Sequence, residues 1–262
     1  MLPLRVEIIP SEGIVNVVSQ ALPTSTAISI TCLPKHGVGA TLRAAVQLRE
    51  LGYTVVPHLA AKAVESRAEL SAILGDCSAS GITEVFAIGG DGQPSGSYST
   101  GGELLRDIAQ ITSGAMSVGV AGYPEGHPDT TRLHLVDALL EKQEHGASKI
   151  VTQMCFSADK IHDYVAMLRR EGVLLPVWAG VAGAVPKAKL VSLATKIGVG
   201  SSLKFLSRKG PLARRLLIGE RYRPETLIEE LSARPGIEGI QHYSFNSLDA
   251  LPTPQPAVEG LR

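Results

Sequence analysis

A chain of 262 residues that is 44% apolar and only 19% charged carries enough hydrophobic material for one large core. Its 25 Lys and Arg balance its 25 Asp and Glu, so no global field draws it to nucleic acid or to an anionic membrane. Three cysteines without metal-ligand spacing, and no apolar run near the ~18 residues of a membrane helix, point to a cytoplasmic protein with reduced thiols.

The opening MLPLRVEIIP has one positive charge and too short an apolar span for a secretory leader. Strand-like runs then recur along the chain: LRVEIIP (4–10), AISITCL (27–33), YTVVPHLA (53–60), EVFAIGG (84–90), SVGVAGYP (117–124), KIVTQMCF (149–156), LLPVWAGV (174–181) and EGIQHYSF (238–245). Most are nearly continuous in apolar residues, as parallel strands buried on both faces are. Helical spacing fills the gaps at 40–51, 66–74, 101–111 and 133–146, and Gly52, Gly75 and Gly146 stand where C-caps belong. The last of these helices takes Asp129 or Thr130 as its N-cap. Further helices are expected within 185–236. Eight strands alternating with helices predict a single-domain (β/α)8 TIM barrel over 1–250, with 251–262 as an extended tail. An open doubly wound sheet is the alternative, but neither GVG (37–39, 198–200) follows a strand in the GxGxxG frame.

Barrel chemistry collects at the C-terminal strand ends. Those ends carry Glu7, Thr31 with Cys32, His58, Asp91, Tyr123 with Glu125 and His127, and Gln153. Glu7 interrupts an apolar strand. Turned inward it would be desolvated and held as a general acid; the alternatives are an outward Glu at the barrel rim or one paired with Arg5. Gln153 suits the edge of a heteroaromatic ring, or equally a hydrogen bond in the core. No helix places His or acidic pairs for a metal, no GxSxG elbow occurs, and Lys149 opens its strand at the wrong end for a Schiff base.

Read together, VEIIP, PHLA, GGD with its Gly/Pro loop, VGVAGYPEGHPD, GASKIVTQMCF and HYSFNS occur in one order. In that order the chain resembles methylenetetrahydrofolate reductases over nearly its whole length. The resemblance implies an oxidoreductase that converts 5,10-methylenetetrahydrofolate to 5-methyltetrahydrofolate with NADH or NADPH, normally through bound FAD. Glu7 matches the family's general acid, Asp91 the aspartate beside flavin and pterin, and Gln153 the pterin-contacting glutamine. Thr31, His58, Gly90, Tyr123, His127 and Lys142 match cofactor-contacting positions, and Tyr123 also borders the folate.

Three departures stand out. Gly89 replaces the arginine of an R-G-D, Cys32 the tyrosine of a T-Y-G, and Ser247 the arginine of an L-N-R. At roughly 1.5–3 kcal/mol for each charge-assisted hydrogen bond, two missing cations cost a flavin dinucleotide several kcal/mol. Weakened or absent FAD is therefore expected, with direct hydride delivery from the nicotinamide. The alternative is a non-catalytic folate- or nucleotide-binding protein on the same scaffold. The sequence does not fix the oligomeric state.

Overall fold

The computed structural model describes residues 2–128, 130–186, 217–218 and 221–248. All eight expected strands form: β1 (Leu4–Ile8), β2 (Ala27–Ile30), β3 (Thr54–Ala60), β4 (Glu84–Ile88), β5 (Ser117–Gly122), β6 (Lys149–Thr152), β7 (Val177–Ala182) and β10 (Gly239–Tyr243). They close into one barrel, in which β1 pairs with β2 on one side and β10 on the other, and every barrel pairing is parallel. A hairpin of β8 (Leu217–Ile218) and β9 (Arg221–Tyr222) lies between β7 and β10 in the chain.

Seven described helices accompany the strands: α1 (Ile14–Ala21), α2 (Gly37–Glu50), α3 (Arg67–Ala79), α4 (Gly101–Ile111), α5 (Arg132–Glu144), α6 (Ala158–Arg170) and α7 (Glu225–Ser232). Side-chain caps start several of them. Thr100 and Glu103 form a reciprocal capping box on α4, and Ser66 and Ser157 accept from the third amide of α3 and α6. Among the described residues no helix is long and apolar enough to cross a membrane. The helices expected at 185–198 and 201–210, and the tail 251–262, lie essentially outside the described residues.

Several local expectations are corrected. The strands at 4–10, 27–33 and 149–156 stop two to four residues early, at Ile8, Ile30 and Thr152. Their apolar continuations turn into the loops, where burial persists and only single backbone bonds, such as Thr31 N to Ile8 O and Cys155 N to Gly180 O, still reach a neighbouring strand. Gly75 ends no helix. Ile73, Leu74 and Cys77 all bury on one side, so α3 runs on to Ala79, and the positive φ falls at Gly81. The N-cap of α5 is Thr131, whose hydroxyl accepts from His134 N at 3.3 Å; Thr130 instead forms a bridge with His127.

The floor of the barrel is ionic. Glu84 accepts from Arg5 Nη2 and from Lys149 Nζ, each at 2.9 Å. Both cations lie over the Trp178 ring, at 4.7 and 5.4 Å from its centre. Arg5 is thus committed to the closed end of the barrel, and Glu7 is left to face the other.

Candidate active site

Parallel pairing in register places Glu7 opposite Ser29 of β2 and Tyr243 of β10. Side chains alternate along a strand, so Arg5 and Glu7 project to the same side, one at the floor and one near the mouth. Glu7 points inward to Gln241, so neither an outward Glu7 at the rim nor a pairing with Arg5, which bonds Glu84, is what forms.

The mouth of the barrel opens into a cavity of about 510 Å³. The nine residues matched to the family's site line it: Glu7, Thr31, His58, Gly90, Asp91, Tyr123, His127, Lys142 and Gln153; of the other strand-end candidates Cys32 lines it too, and Glu125 does not. They arrive on the ends of β1, β2, β3, β4, β5 and β6, with Lys142 reaching in from the last turn of α5.

The side chain of Glu7 is 13% exposed, and burial pushes its pKa up to about 8 against the smaller opposing effect of the Gln241 hydrogen bond. Gln241 Nε2 donates to Glu7 Oε2 at 3.0 Å. His58 Nε2 lies 3.8 Å from the same oxygen and 2.6 Å from Ser29 Oγ. Burial, helped by the charge of Arg5, lowers the His58 pKa to about 3, so the imidazole is neutral and offers Glu7 no counter-charge. Its ring rests against Phe86, with centroids 4.7 Å apart.

The loop after β4 supplies the open rim. Gly90 has φ +81°, and a Cβ there would sit 2.9 Å from Ala60 Cβ, so only glycine fits. Gly89 differs: a Cβ on it would meet nothing within 4 Å. Its carbonyl accepts from Lys62 N at 3.1 Å, and Ser95 and Ser97 N donate to Lys62 and Glu65 carbonyls, which fasten the glycine-rich loop to the β3–α3 connection. Asp91 is exposed at this rim. Burial, and then the negative charge of Asp91, raise the Tyr123 pKa. Tyr123 meets His127 edge-on at 5.1 Å, and its backbone N–H donates to Tyr164 Oη at 3.2 Å. Gln153 is half-buried, its Oε1 accepting from Met154 N at 3.1 Å. Burial lowers the Lys142 pKa. The Thr31 hydroxyl is buried on the cavity wall with no hydrogen-bond partner among the described residues.

Two lining residues, Tyr243 and Lys62, and one residue behind the wall, Gln241, were missed as site candidates. Tyr243 donates to Thr152 O at 2.9 Å and lies on Gly180, where a Cβ would come 2.7 Å from its ring. Lys62 enters on the short turn after β3. Gln241, 1% exposed, sits behind Glu7. Its signal was present, since an amide breaks the apolar EGIQHYSF run as Gln153 breaks KIVTQMCF.

Comparison with known proteins places this barrel. The family model "Methylenetetrahydrofolate reductase" matches residues 12–198. The chain belongs to the methylenetetrahydrofolate reductase family. Methylenetetrahydrofolate reductase 1 of Schizosaccharomyces pombe is 28% identical over 160 residues, covering 61% of this chain and 26% of that protein. Methylenetetrahydrofolate reductase 2 of Saccharomyces cerevisiae is 25% identical over 120 residues, 45% of this chain and 20% of that one. The aligned segments thus span about a quarter or less of these relatives. Among solved structures, a Clostridium thermocellum protein that binds two copies of 5-methyl-5,6,7,8-tetrahydrofolic acid superposes with a TM-score of 0.55 at 11% identity, covering 92% of this chain and 87% of that one; this likeness is one of fold.

Proposed function

We propose that this protein reduces 5,10-methylenetetrahydrofolate to 5-methyltetrahydrofolate and takes the hydride directly from NADH or NADPH, without a flavin between them. Family membership supports the reaction class. The observation that carries the mechanism is Glu7, a carboxyl with a pKa of about 8 at the inner end of the cavity. It holds a proton at neutral pH, which is what opening the imidazolidine ring requires.

In this reading Glu7 gives its proton to N10 as the N10–methylene bond breaks. The N5 lone pair forms the methylene iminium, and the nicotinamide C4 hydride adds to that carbon. Products are 5-methyltetrahydrofolate, NAD(P)+ and a Glu7 carboxylate that water reprotonates. Asp91 steadies the positive charge that builds on the pterin, and Gln153 meets the pterin edge with a donor and an acceptor. Thr31, His58, Gly90, Tyr123, His127 and Lys142 border the space left for the nicotinamide nucleotide.

The residues present do not fit a tightly held flavin dinucleotide. Among the described residues the permanent cations on the cavity wall are Lys62 and Lys142, and burial works against the charge of Lys142. Empty space stands at Gly89, where the family carries a guanidinium. A purely binding role would gain nothing from a carboxyl kept protonated against its ordinary pKa.

The test is the visible spectrum of the purified protein together with NAD(P)H oxidation dependent on methylenetetrahydrofolate, with and without added FAD. Turnover by colourless protein, unchanged by FAD, is expected. Stoichiometric flavin absorption, or activity only after FAD is added, would refute direct transfer; folate binding without turnover would favour the binding protein.

A further inference from the structure

Glu7 has two oxygens, and the structure treats them differently. Oε2 accepts from Gln241 Nε2 at 3.0 Å and is the atom nearest His58 Nε2, at 3.8 Å. Oε1 makes no hydrogen bond among the described residues. Gln241 comes from β10, 234 residues along the chain from Glu7, and is sealed at 1% exposure. Its own Oε1 is buried with no partner among the described residues.

That orphaned oxygen is informative. A buried amide oxygen without a hydrogen bond is costly, and turning the amide over would aim it at Glu7. There it could accept only the acid proton, drawing it onto Oε2 and away from the cavity. The orientation present does the opposite. An N–H donor against Oε2 makes that oxygen the carbonyl-like one, so the proton belongs on Oε1.

We infer that Gln241 is a positioning residue that directs the acid proton of Glu7 to the oxygen available to substrate. The inference rests on the reductase reading above. After proton transfer the same N–H remains to steady the carboxylate, so one contact serves both halves of the step. The titratable groups facing Glu7 from other strands are His58 on β3 and Tyr243 on β10. Burial holds His58 neutral and Tyr243 protonated, and Arg5 is tied to Glu84. None of them can replace the amide.

The experiment compares wild type with Gln241→Leu and Gln241→Glu over a pH series, using (4-²H)-labelled NAD(P)H beside the unlabelled donor. In Gln241→Leu, kcat should fall about 10- to 100-fold, as misplacement of a reacting group does, with KM for methylenetetrahydrofolate changed less than about twofold. The amide favours the carboxylate, so its loss should move the alkaline limb of kcat upward, by about one pH unit. The deuterium isotope effect should shrink as ring opening becomes slower than hydride transfer. Gln241→Glu keeps the shape and, when protonated, has an O–H that can donate to Oε2. Its activity should recover toward wild type as the pH is lowered. A structural role alone would reduce the amount of active enzyme and leave the limb and the isotope effect in place, and that result overturns the inference. Should Gln241→Leu not fold, Gln241→Glu decides by its pH profile alone, a wild-type profile counting against. A wild type without methylenetetrahydrofolate-dependent turnover removes the reductase reading, and this inference with it; normal wild-type turnover with unaffected variants removes only the role of Gln241.

Discussion

At the scale of single residues, Glu7 and His58 are buried neighbours whose pKa values move in opposite directions, and this sets how stability responds to pH. The folded pKa of Glu7, about 8, stands above its ordinary 4.5. Its contribution is complete below pH 4.5 and is lost as the pH rises to about 8. His58 drops from 6.5 to about 3, so its contribution is complete above pH 6.5 and is lost as the pH falls to about 3. Between 4.5 and 6.5 the two slopes oppose each other. Thermal melts should therefore change little across that window and lose stability from pH 6.5 to 8. Glu7→Gln should abolish the second decline and melt higher than wild type at pH 8.5, by an amount on the order of a few kcal/mol, while losing about 10²- to 10⁴-fold in kcat. A variant as unstable as wild type at pH 8.5 would remove the case for a buried acid. Gly89 gives a second prediction. Since a side chain there meets nothing within 4 Å, Gly89→Arg should fold normally. It should bind FAD about 10- to 100-fold more tightly in a fluorescence titration, the worth of one charge-assisted bond. Unchanged affinity would mean that the arginine is not what the flavin misses.

At the scale of elements, the strands were legible because eight runs of buried residues have few other uses in a chain of this length. Their ends were not. Cys32, Met154, Cys155 and Phe156 are as buried as the strand residues before them, so apolarity continues beyond the last residue of the regular ladder. Gly75 misled for a related reason, since a glycine inside a helix and one beyond its end read alike until φ is known. Helices α1 and α6 were not singled out, although IVNVVSQA and ADKIHDYVAMLRR place their buried residues on one face. The ionic floor had no local signal, because Arg5, Glu84 and Lys149 meet only after closure, 79 and 65 residues apart from Glu84. Glu84 answers two cations stacked on one indole. Glu84→Gln should thus destabilise by about 3–5 kcal/mol in urea unfolding, as removal of one partner from a buried pair does. Lys149→Met added to it should recover part of that loss. A cost below about 1 kcal/mol would mark the cluster as a solvated surface network.

At the scale of the whole molecule, the cavity residues were legible for a topological reason. A parallel barrel sends every strand's C-terminal end to one mouth, so reading those ends in order found residues that the closed barrel brings to a single cavity, Glu125 excepted, while Gly90 and Lys142 of that cavity were reached only through the family resemblance. What order along the chain could not supply was depth. Gln241 belongs behind Glu7, and only strand register sets that. The same closure constrains the kinetics. With one cavity of about 510 Å³ at the mouth, direct transfer requires folate and nicotinamide to be bound there together, the iminium carbon against C4. Initial rates varied over both substrates should give intersecting reciprocal plots, the pattern of a ternary complex. A carrier that is reduced and then reoxidised would give the parallel lines of a ping-pong mechanism. Deuterium at the transferred position of NAD(P)H should also appear in the product methyl group without dilution by solvent hydrogen. Intersecting lines with full retention fit the single cavity. Parallel lines, or deuterium lost to water, require an intermediate carrier, and the missing cations at Gly89 and Ser247 would then have replacements on the protein.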